Sequence, residues 1–193
     1  MRVDFPMLGT VEISGDITVI SPGPSTLDQE AVVIYGGVAP HINSLRVQGA
    51  QTGALILGMT RGARVDHFYV RDAYSSSPNL GTAFRCSESG VVFGTGIVEN
   101  CRTIHFAETD SRVHYENLSY RNVDASDRAL FFAASGSRIT VDRLHLYGRG
   151  GYRLFDFSDN LGGPVSAFNV RSLEIRGELP ANSAHSAAKF AKS

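Results

Sequence analysis

One short phrase returns six times along the chain. An apolar residue, any residue, a second apolar residue and any residue precede Gly, Asp or Asn: Leu45-Arg-Val47-Gln-Gly49, Phe68-Tyr-Val70-Arg-Asp72, Gly96-Ile-Val98-Glu-Asn100, Leu118-Ser-Tyr120-Arg-Asn122, Leu144-His-Leu146-Tyr-Gly148 and Leu173-Glu-Ile175-Arg-Gly177. Only residue types that tolerate a left-handed backbone fill the final position, so each copy reads as a strand ending in a turn at positive φ. The copies lie about 23, 28, 22, 26 and 29 residues apart, within the range of repeats that build solenoids.

A second alternating pair precedes each phrase: Val32/Ile34, Leu55/Leu57, Thr82/Phe84, Ile104/Phe106, Leu130/Phe132 and Phe155/Phe157. Alternation is the strand period. Between the two strands stand a Gly/Ser turn (Gly37, Gly62, Gly90, Ser111, Gly136, Gly163) and a third apolar position (Ile42, Val65, Phe93, Tyr115, Val141, Val170). Each repeat therefore spells strand, turn, short strand, bend, strand, turn. One such coil cannot bury its apolar side alone. Stacked about 4.8 Å apart, coils pair their backbones with those above and below and share a core. The reading is an all-β fold, a single-stranded right-handed parallel β-helix of about six coils, the hand following from strand-crossover chirality. An antiparallel jelly roll or sandwich also repeats turns at short spacing, but has no reason to keep three columns aligned through six copies.

Residues 31–178 form the β-helix in this reading. Residues 1–30 break the pattern and act as N-terminal cap strands, with Val11-Glu-Ile13-Ser-Gly15 as one more copy of the phrase and Ile17/Val19 as a further strand. Residues 179–193 form a C-terminal tail or a short capping helix. The stretches Ala73–Gly81, Val123–Asp127 and Gly148–Tyr152 occupy equivalent turns, so loops of neighbouring coils emerge along one edge.

A formal net charge of −1 offers no electrostatic case for nucleic acid or an anionic membrane. No stretch approaches membrane-spanning length, and Met-Arg-Val-Asp-Phe-Pro holds no apolar run suited to a secretory signal. Delivery to a virion or cell surface by another route stays open, and the localisation is not fixed by the sequence. Cys86 and Cys101 read as buried free thiols. Neither they nor the six histidines follow a metal-ligand spacing, so no metal and no cofactor are expected.

Two outer faces follow from the alternation. On the strands of the second column the outward set is Val33, Ile56, Ala83, His105, Phe131 and Asp156, flanked by Ala31, Ala54, Thr103, Ala129 and Leu154. So apolar a stripe calls for a cover, either a terminal segment of the chain or another subunit; a homo-oligomer, with a trimer as one arrangement, would supply it. On the strand before the Gly/Asp/Asn turn the outward set includes Tyr69, Arg71, Glu99, Arg121, His145 and Tyr147 over about four coils. These residues read either as an ion-pair ladder or as a glycan groove, in which aromatic faces stack on sugar C–H surfaces while Arg and carboxylate groups bind hydroxyls.

Coils such as Arg64-Val-Asp-His-Phe-Tyr-Val-Arg-Asp72 and Arg138-Ile-Thr-Val-Asp-Arg-Leu-His-Leu-Tyr-Gly148 resemble those of the pectin-lyase-like superfamily of right-handed parallel β-helices. That group includes polysaccharide lyases, polygalacturonases, C5-epimerases and phage tailspikes. The resemblance lies in coil grammar; a lyase calcium-site cluster and the paired-Asp stretch of polygalacturonases are missing. It implies a polysaccharide or surface glycan as partner, and a non-catalytic recognition or structural module of a tailspike-like or cell-surface-directed assembly. The alternative is a polysaccharide depolymerase, a lyase or glycoside hydrolase, with its site on the β-helix face or between subunits. For catalysis the candidates are Glu116 with Asp142 at equivalent places in adjacent coils, Asp66 further along the column, His105 with Asp156, and His145 near Arg121 as a lyase base beside an arginine.

Overall fold

The computed structural model describes residues 2–4, 14–20, 30–36, 39–50, 53–73, 81–122, 129–148, 153–158 and 165–177. Those residues form fourteen strands and no helix: β1 (Arg2–Asp4), β2 (Ser14–Ile20), β3 (Glu30–Tyr35), β4 (His41–Gln48), β5 (Gly53–Gly58), β6 (Ala63–Arg71), β7 (Thr82–Ser87), β8 (Gly90–Glu99), β9 (Thr103–Glu108), β10 (Arg112–Asn122), β11 (Ala129–Ala134), β12 (Arg138–Gly148), β13 (Arg153–Ser158) and β14 (Ala167–Arg176). Odd-numbered strands make one sheet in sequence order and even-numbered strands the other, and every pairing is parallel. Each coil is thus a short odd strand followed by a long even strand, which is a parallel β-helix. β1 and β2 extend both sheets by a further rung at the N-terminal end. The loops at 74–80, 123–128 and 149–152 and the segment 178–193 lie outside the described residues.

The long strands follow the alternation closely. Leu45, Phe68, Gly96, Leu118, Leu144 and Leu173 stand in one register row, and Val47, Val70, Val98, Tyr120, Leu146 and Ile175 in the next. Both rows are buried except at the last rung, where Ile175 is 41% exposed. Gly96 interrupts the leucines because the Phe68 ring fills its place: a Cβ on Gly96 would lie 2.3 Å from Phe68 Cδ2. Five of the six phrase-ending residues, Gly49, Asp72, Asn100, Gly148 and Gly177, have positive φ, as the phrase requires. Asn122 is the last residue of β10, paired with Gly148.

The bend expected within each long stretch is a one-residue gap in the ladder. Pairing runs through Tyr115↔Val141 and resumes at Asn117↔Arg143, so Glu116 and Asp142 face each other at the gap. Asn43, Asp66, Gly94 and Arg171 take the same place in other coils.

The short strands depart from simple alternation. Register passes from Gly53↔Thr82 to Leu55↔Phe84, leaving Ala54 opposite Ala83 at a second bend. There two successive residues turn inward, and Ala54, Leu55, Ala83, Phe84, Ile104 and His105 are all buried. The row therefore runs Leu55, Phe84, His105, Phe131, Phe155, and the outward row runs Val33, Ile56, Arg85, Phe106, Phe132. This corrects the expected faces of β9 and β11 by one residue, which exchanges the two sides of a strand. His105 and Phe131 are core residues, whereas Phe106 and Phe132 stack on the outer side with centroids 4.4 Å apart. The outward stripe as expected is accordingly not formed. Val33 and Ile56, outside the core cluster, are each only 4% exposed within the single chain, and Leu154 packs against the core.

The turn joining short to long strand holds a column of buried hydroxyl residues, Thr60, Ser89, Ser111 and Ser137. The first three backbone N–H groups of this column donate to the hydroxyl one coil on, Thr60 to Ser89 at 3.2 Å, Ser89 to Ser111 at 3.3 Å and Ser111 to Ser137 at 3.1 Å, whereas the Ser137 N–H donates to Ala134 O. Just before it, Gly36, Met59, Glu88, Thr109 and Ser135 form a second column at positive φ. Four of these are not glycine, and inter-coil hydrogen bonds such as Met59 N–H to Ser87 O at 2.9 Å hold them there.

Candidate functional site

All six candidate ligand residues stand where the long-strand register puts them. Tyr69, Ile97, Ser119 and His145 share one outer row, and Arg71, Glu99, Arg121 and Tyr147 share the next. The contacts differ from an alternating ion ladder. Tyr69 donates its hydroxyl to Glu99 Oε2 at 2.8 Å, and Arg71 Nε donates to Asp72 at the left-handed turn, also at 2.8 Å. Arg121 stands over the Tyr147 ring, 6.0 Å from its centroid, and Arg46 over Tyr69 at 5.9 Å. His145 stacks beside Tyr147 at 17° between planes and pairs with Glu174 at 2.8 Å, so it is engaged with a carboxylate and not with Arg121. Glu99 raises the Tyr69 phenol above its ordinary range by accepting its hydrogen bond, with desolvation adding to the effect. His145 and then Arg176 hold the Glu174 carboxyl below its ordinary range. The face presents ring edges, guanidinium groups and carboxylates in two rows, a surface suited to hydroxyl recognition.

A second polar array follows the bend. Asp66 accepts from His41 and Arg64, both at 2.6 Å, and these contacts, His41 first, hold its carboxyl below the ordinary range. Gly94 leaves its rung without a side chain, because a Cβ there would lie 2.3 Å from the Asp66 carbonyl oxygen. Arg64 reaches past that rung to Glu116, with Nη1 3.1 Å from Oε1. Asp142 binds His114 at 2.9 Å through Oδ2. Its Oδ1 makes an ion pair with Arg171 at 3.2 Å whose angles are not those of a hydrogen bond. A shallow cavity of about 500 Å³ adjoins this array, lined by Arg64, His114 and Arg138 among others. Glu116 and Asp142 thus stand at equivalent places in adjacent coils as expected, each already paired with an arginine. The sequence reading missed His41, Arg64, His114 and Arg171 as partners of Asp66, Glu116 and Asp142. Its signal was present in Arg64-x-Asp66 and His114-x-Glu116, pairs that alternation puts on one outer side.

The pairing of His105 with Asp156 is not formed. They belong to neighbouring register columns, His105 inward with Phe131 and Asp156 in backbone register with Phe132. His105 is buried, with Nδ1 2.6 Å from the Tyr115 hydroxyl and Nε2 3.1 Å from Cys86 Sγ. Desolvation lowers its pKa to about 3 and raises that of Cys86 to about 12. A neutral imidazole offers one donor and one acceptor, which suits these two partners; the group is structural.

Among the described residues no group of three or more His, Cys, Asp or Glu side chains could hold a metal ion, and no helix is long and apolar enough to cross a membrane. Neither protein-family models, nor curated proteins, nor solved structures yield a match to this chain.

Proposed function

We propose that this chain is a carbohydrate-recognition module of the β-helix type, non-catalytic, and part of a tailspike-like or other cell-surface-directed assembly. One observation carries the reading: six residues of sugar-binding chemistry, drawn from β6, β8, β10 and β12, occupy two adjoining outer rows. There Glu99 accepts from Tyr69, and Arg121 covers one side of Tyr147. Four rungs span about 14 Å, enough for roughly three sugar rings. Aromatic groups beside charged hydrogen-bonding groups favour a pyranose chain laid along the axis. The pectin-lyase-like resemblance of the coils supports the same partner class by analogy of fold alone. Titration with neutral, amino and acidic polysaccharides tests the reading. Tyr147→Ala should weaken the retained ligand by about 1 kcal/mol or more while leaving the melting temperature nearly unchanged. Absence of binding across all three classes would leave the chain an architectural solenoid.

A depolymerase is the second reading, and the bend array favours it. Glu116 and Asp142 stand at equivalent bend positions in adjacent coils, whose backbones lie about 5 Å apart, and a retaining glycosidase needs its two carboxyl groups about 5–5.5 Å apart. Release of reducing ends, lost in Asp142→Asn, would establish it.

A further inference from the structure

The outer side of the short-strand sheet carries a pocket that the long-strand face does not explain. Its volume is about 380 Å³, at the lower end of the roughly 300–1,000 Å³ of small-molecule sites. Gly58 shapes it. The Cδ1–Cε1 side of the Tyr35 ring packs against this glycine, so close that a Cβ there would fall 2.0 Å from Tyr35 Cε1. Tyr35 is 36% exposed, so the ring rests against the sheet and is open to solvent. Ile56 makes an apolar floor beside it. On the opposite side Arg85 is fixed before any ligand arrives. Its Nε and Nη2 both donate to Glu108 Oε2, at 3.1 and 2.9 Å, and its guanidinium stands 5.4 Å from the Phe106 centroid. A group oriented in this way loses little freedom on binding. Met59 and Glu88 put side chains on the rim from left-handed positions, although Gly36 shows that glycine fits that column.

We propose that this pocket is a second glycan subsite, taking one non-acidic hexose ring with its C–H face on Tyr35 and its hydroxyls on Arg85 and Glu108. The chemistry selects that class. An aromatic ring stacks on the apolar face of a pyranose, and vicinal hydroxyls can accept from a guanidinium while donating to a carboxylate. Glu30, Glu88 and Glu108 against Arg85 leave an excess of negative charge around the pocket, which disfavours uronates and sulfated sugars. The proposal rests on the carbohydrate reading above and deepens it.

The test is calorimetric titration of the whole chain with neutral, amino and uronate hexose oligosaccharides, together with amide shift mapping. Neutral or amino oligosaccharide should bind, shift the Gly58, Ser87 and Glu108 amides, and weaken about tenfold in Tyr35→Leu, which keeps apolar cover over Ile56. Glu108→Gln, close in volume, should weaken it too, and Gly58→Ala should do so by lifting the ring. Tighter binding of uronate than of neutral sugar would overturn the subsite, as would Tyr35→Leu and Glu108→Gln both binding as wild type. Binding lost in Tyr147→Ala but intact in Tyr35→Leu overturns the subsite alone. Binding of none of the three oligosaccharides overturns the subsite and the carbohydrate reading together.

Discussion

The two sheets obey different rules although one chain winds through both. In the long-strand sheet, inward and outward residues alternate on either side of a single bend. That bend is occupied by Asp66, Glu116, Asp142 and Arg171, whose side chains stay near the surface, and by Gly94, which has none. In the short-strand sheet the bend residue is itself buried: Ala54, Ala83, Ile104 and Leu130 are each at 0% exposure, and the next residue points inward as well. A bend that faces water inserts an extra outward residue, so the inward positions pass from Val65 to Phe68 and from Tyr115 to Leu118 while the period of two holds on each flank. A bend that faces the core inserts an extra inward residue and shifts the phase of everything after it.

His105 gives the sharpest way to break this comparison, since its burial is what separates the two readings of β9. Its folded pKa of about 3 lies below the ordinary 6.5, so the unfolded chain binds the proton first as pH falls. Stability should be level above about pH 6.5 and decline from there toward pH 3, by up to about 4–5 kcal/mol from this group alone. Urea denaturation as a function of pH measures it. His105→Phe should flatten that limb while losing stability at neutral pH through the buried Tyr115 hydroxyl. An outward, solvated histidine would show no such slope.

Phe131 and Phe132 test the same phase shift without titration. Phe131 is 1% exposed and packs against Tyr115 and Phe168, so Phe131→Ala should cost about 3–5 kcal/mol. Phe132 stacks on Phe106 on the outer side, and Phe132→Ala should cost about 1 kcal/mol. Equal losses, or the reverse order, would restore the phase expected from strict alternation. The difference is read from denaturant midpoints at unchanged m-value.

These residues also mark how far the sequence could be read. The recurring phrase specified the long-strand columns, their outer rows and five left-handed turns, because each signal sits in a segment whose period is unbroken. Ile104-His105-Phe106 and Leu130-Phe131-Phe132 were ambiguous for a physical reason. Three successive residues are apolar or aromatic, or nearly so, and only the position of the bend decides which two enter the core. The left-handed column through Met59, Glu88, Thr109 and Ser135 was equally hidden. Inter-coil backbone hydrogen bonds impose that conformation there, and residue type gives no sign of it. At the candidate site the register placed Tyr69, Glu99, Arg121 and Tyr147 correctly. Their partners were not legible, since Arg71 turns to its neighbour Asp72 and leaves Glu99 to Tyr69.

The hydroxyl column links the two sheets, and Ser111→Ala probes that link. The change removes the acceptor of the buried Ser89 N–H and the donor to the Glu108 carbonyl, a bond of 2.7 Å. A loss of about 1–3 kcal/mol is expected, as for a buried donor left unmade. Ser111→Thr keeps the hydroxyl and should recover part of it. Hydrogen exchange at the Ser89 amide reports the local effect directly.

The smallest effect belongs to the long-strand outer face, where contacts are solvated and alternation is clean. Glu99→Ala should change stability by less than about 0.5 kcal/mol, because a surface carboxylate contributes little to the fold. It should nonetheless be visible in Tyr69. The phenol is raised chiefly by the hydrogen bond it donates to Glu99, so removal of that acceptor should bring its titration back toward pH 10, with Arg71 nearby favouring the phenolate. Absorbance of tyrosinate against pH, compared between wild type, Glu99→Ala and a Tyr69→Phe control, isolates this one ring. An unchanged Tyr69 titration with a clear loss of stability would mean that Glu99 pairs with Arg71 or Arg121 after all, and that the face is an ion ladder with its hydroxyl-binding groups consumed. A shifted titration with stability unchanged leaves both the phenol and the carboxylate available to a sugar laid across them.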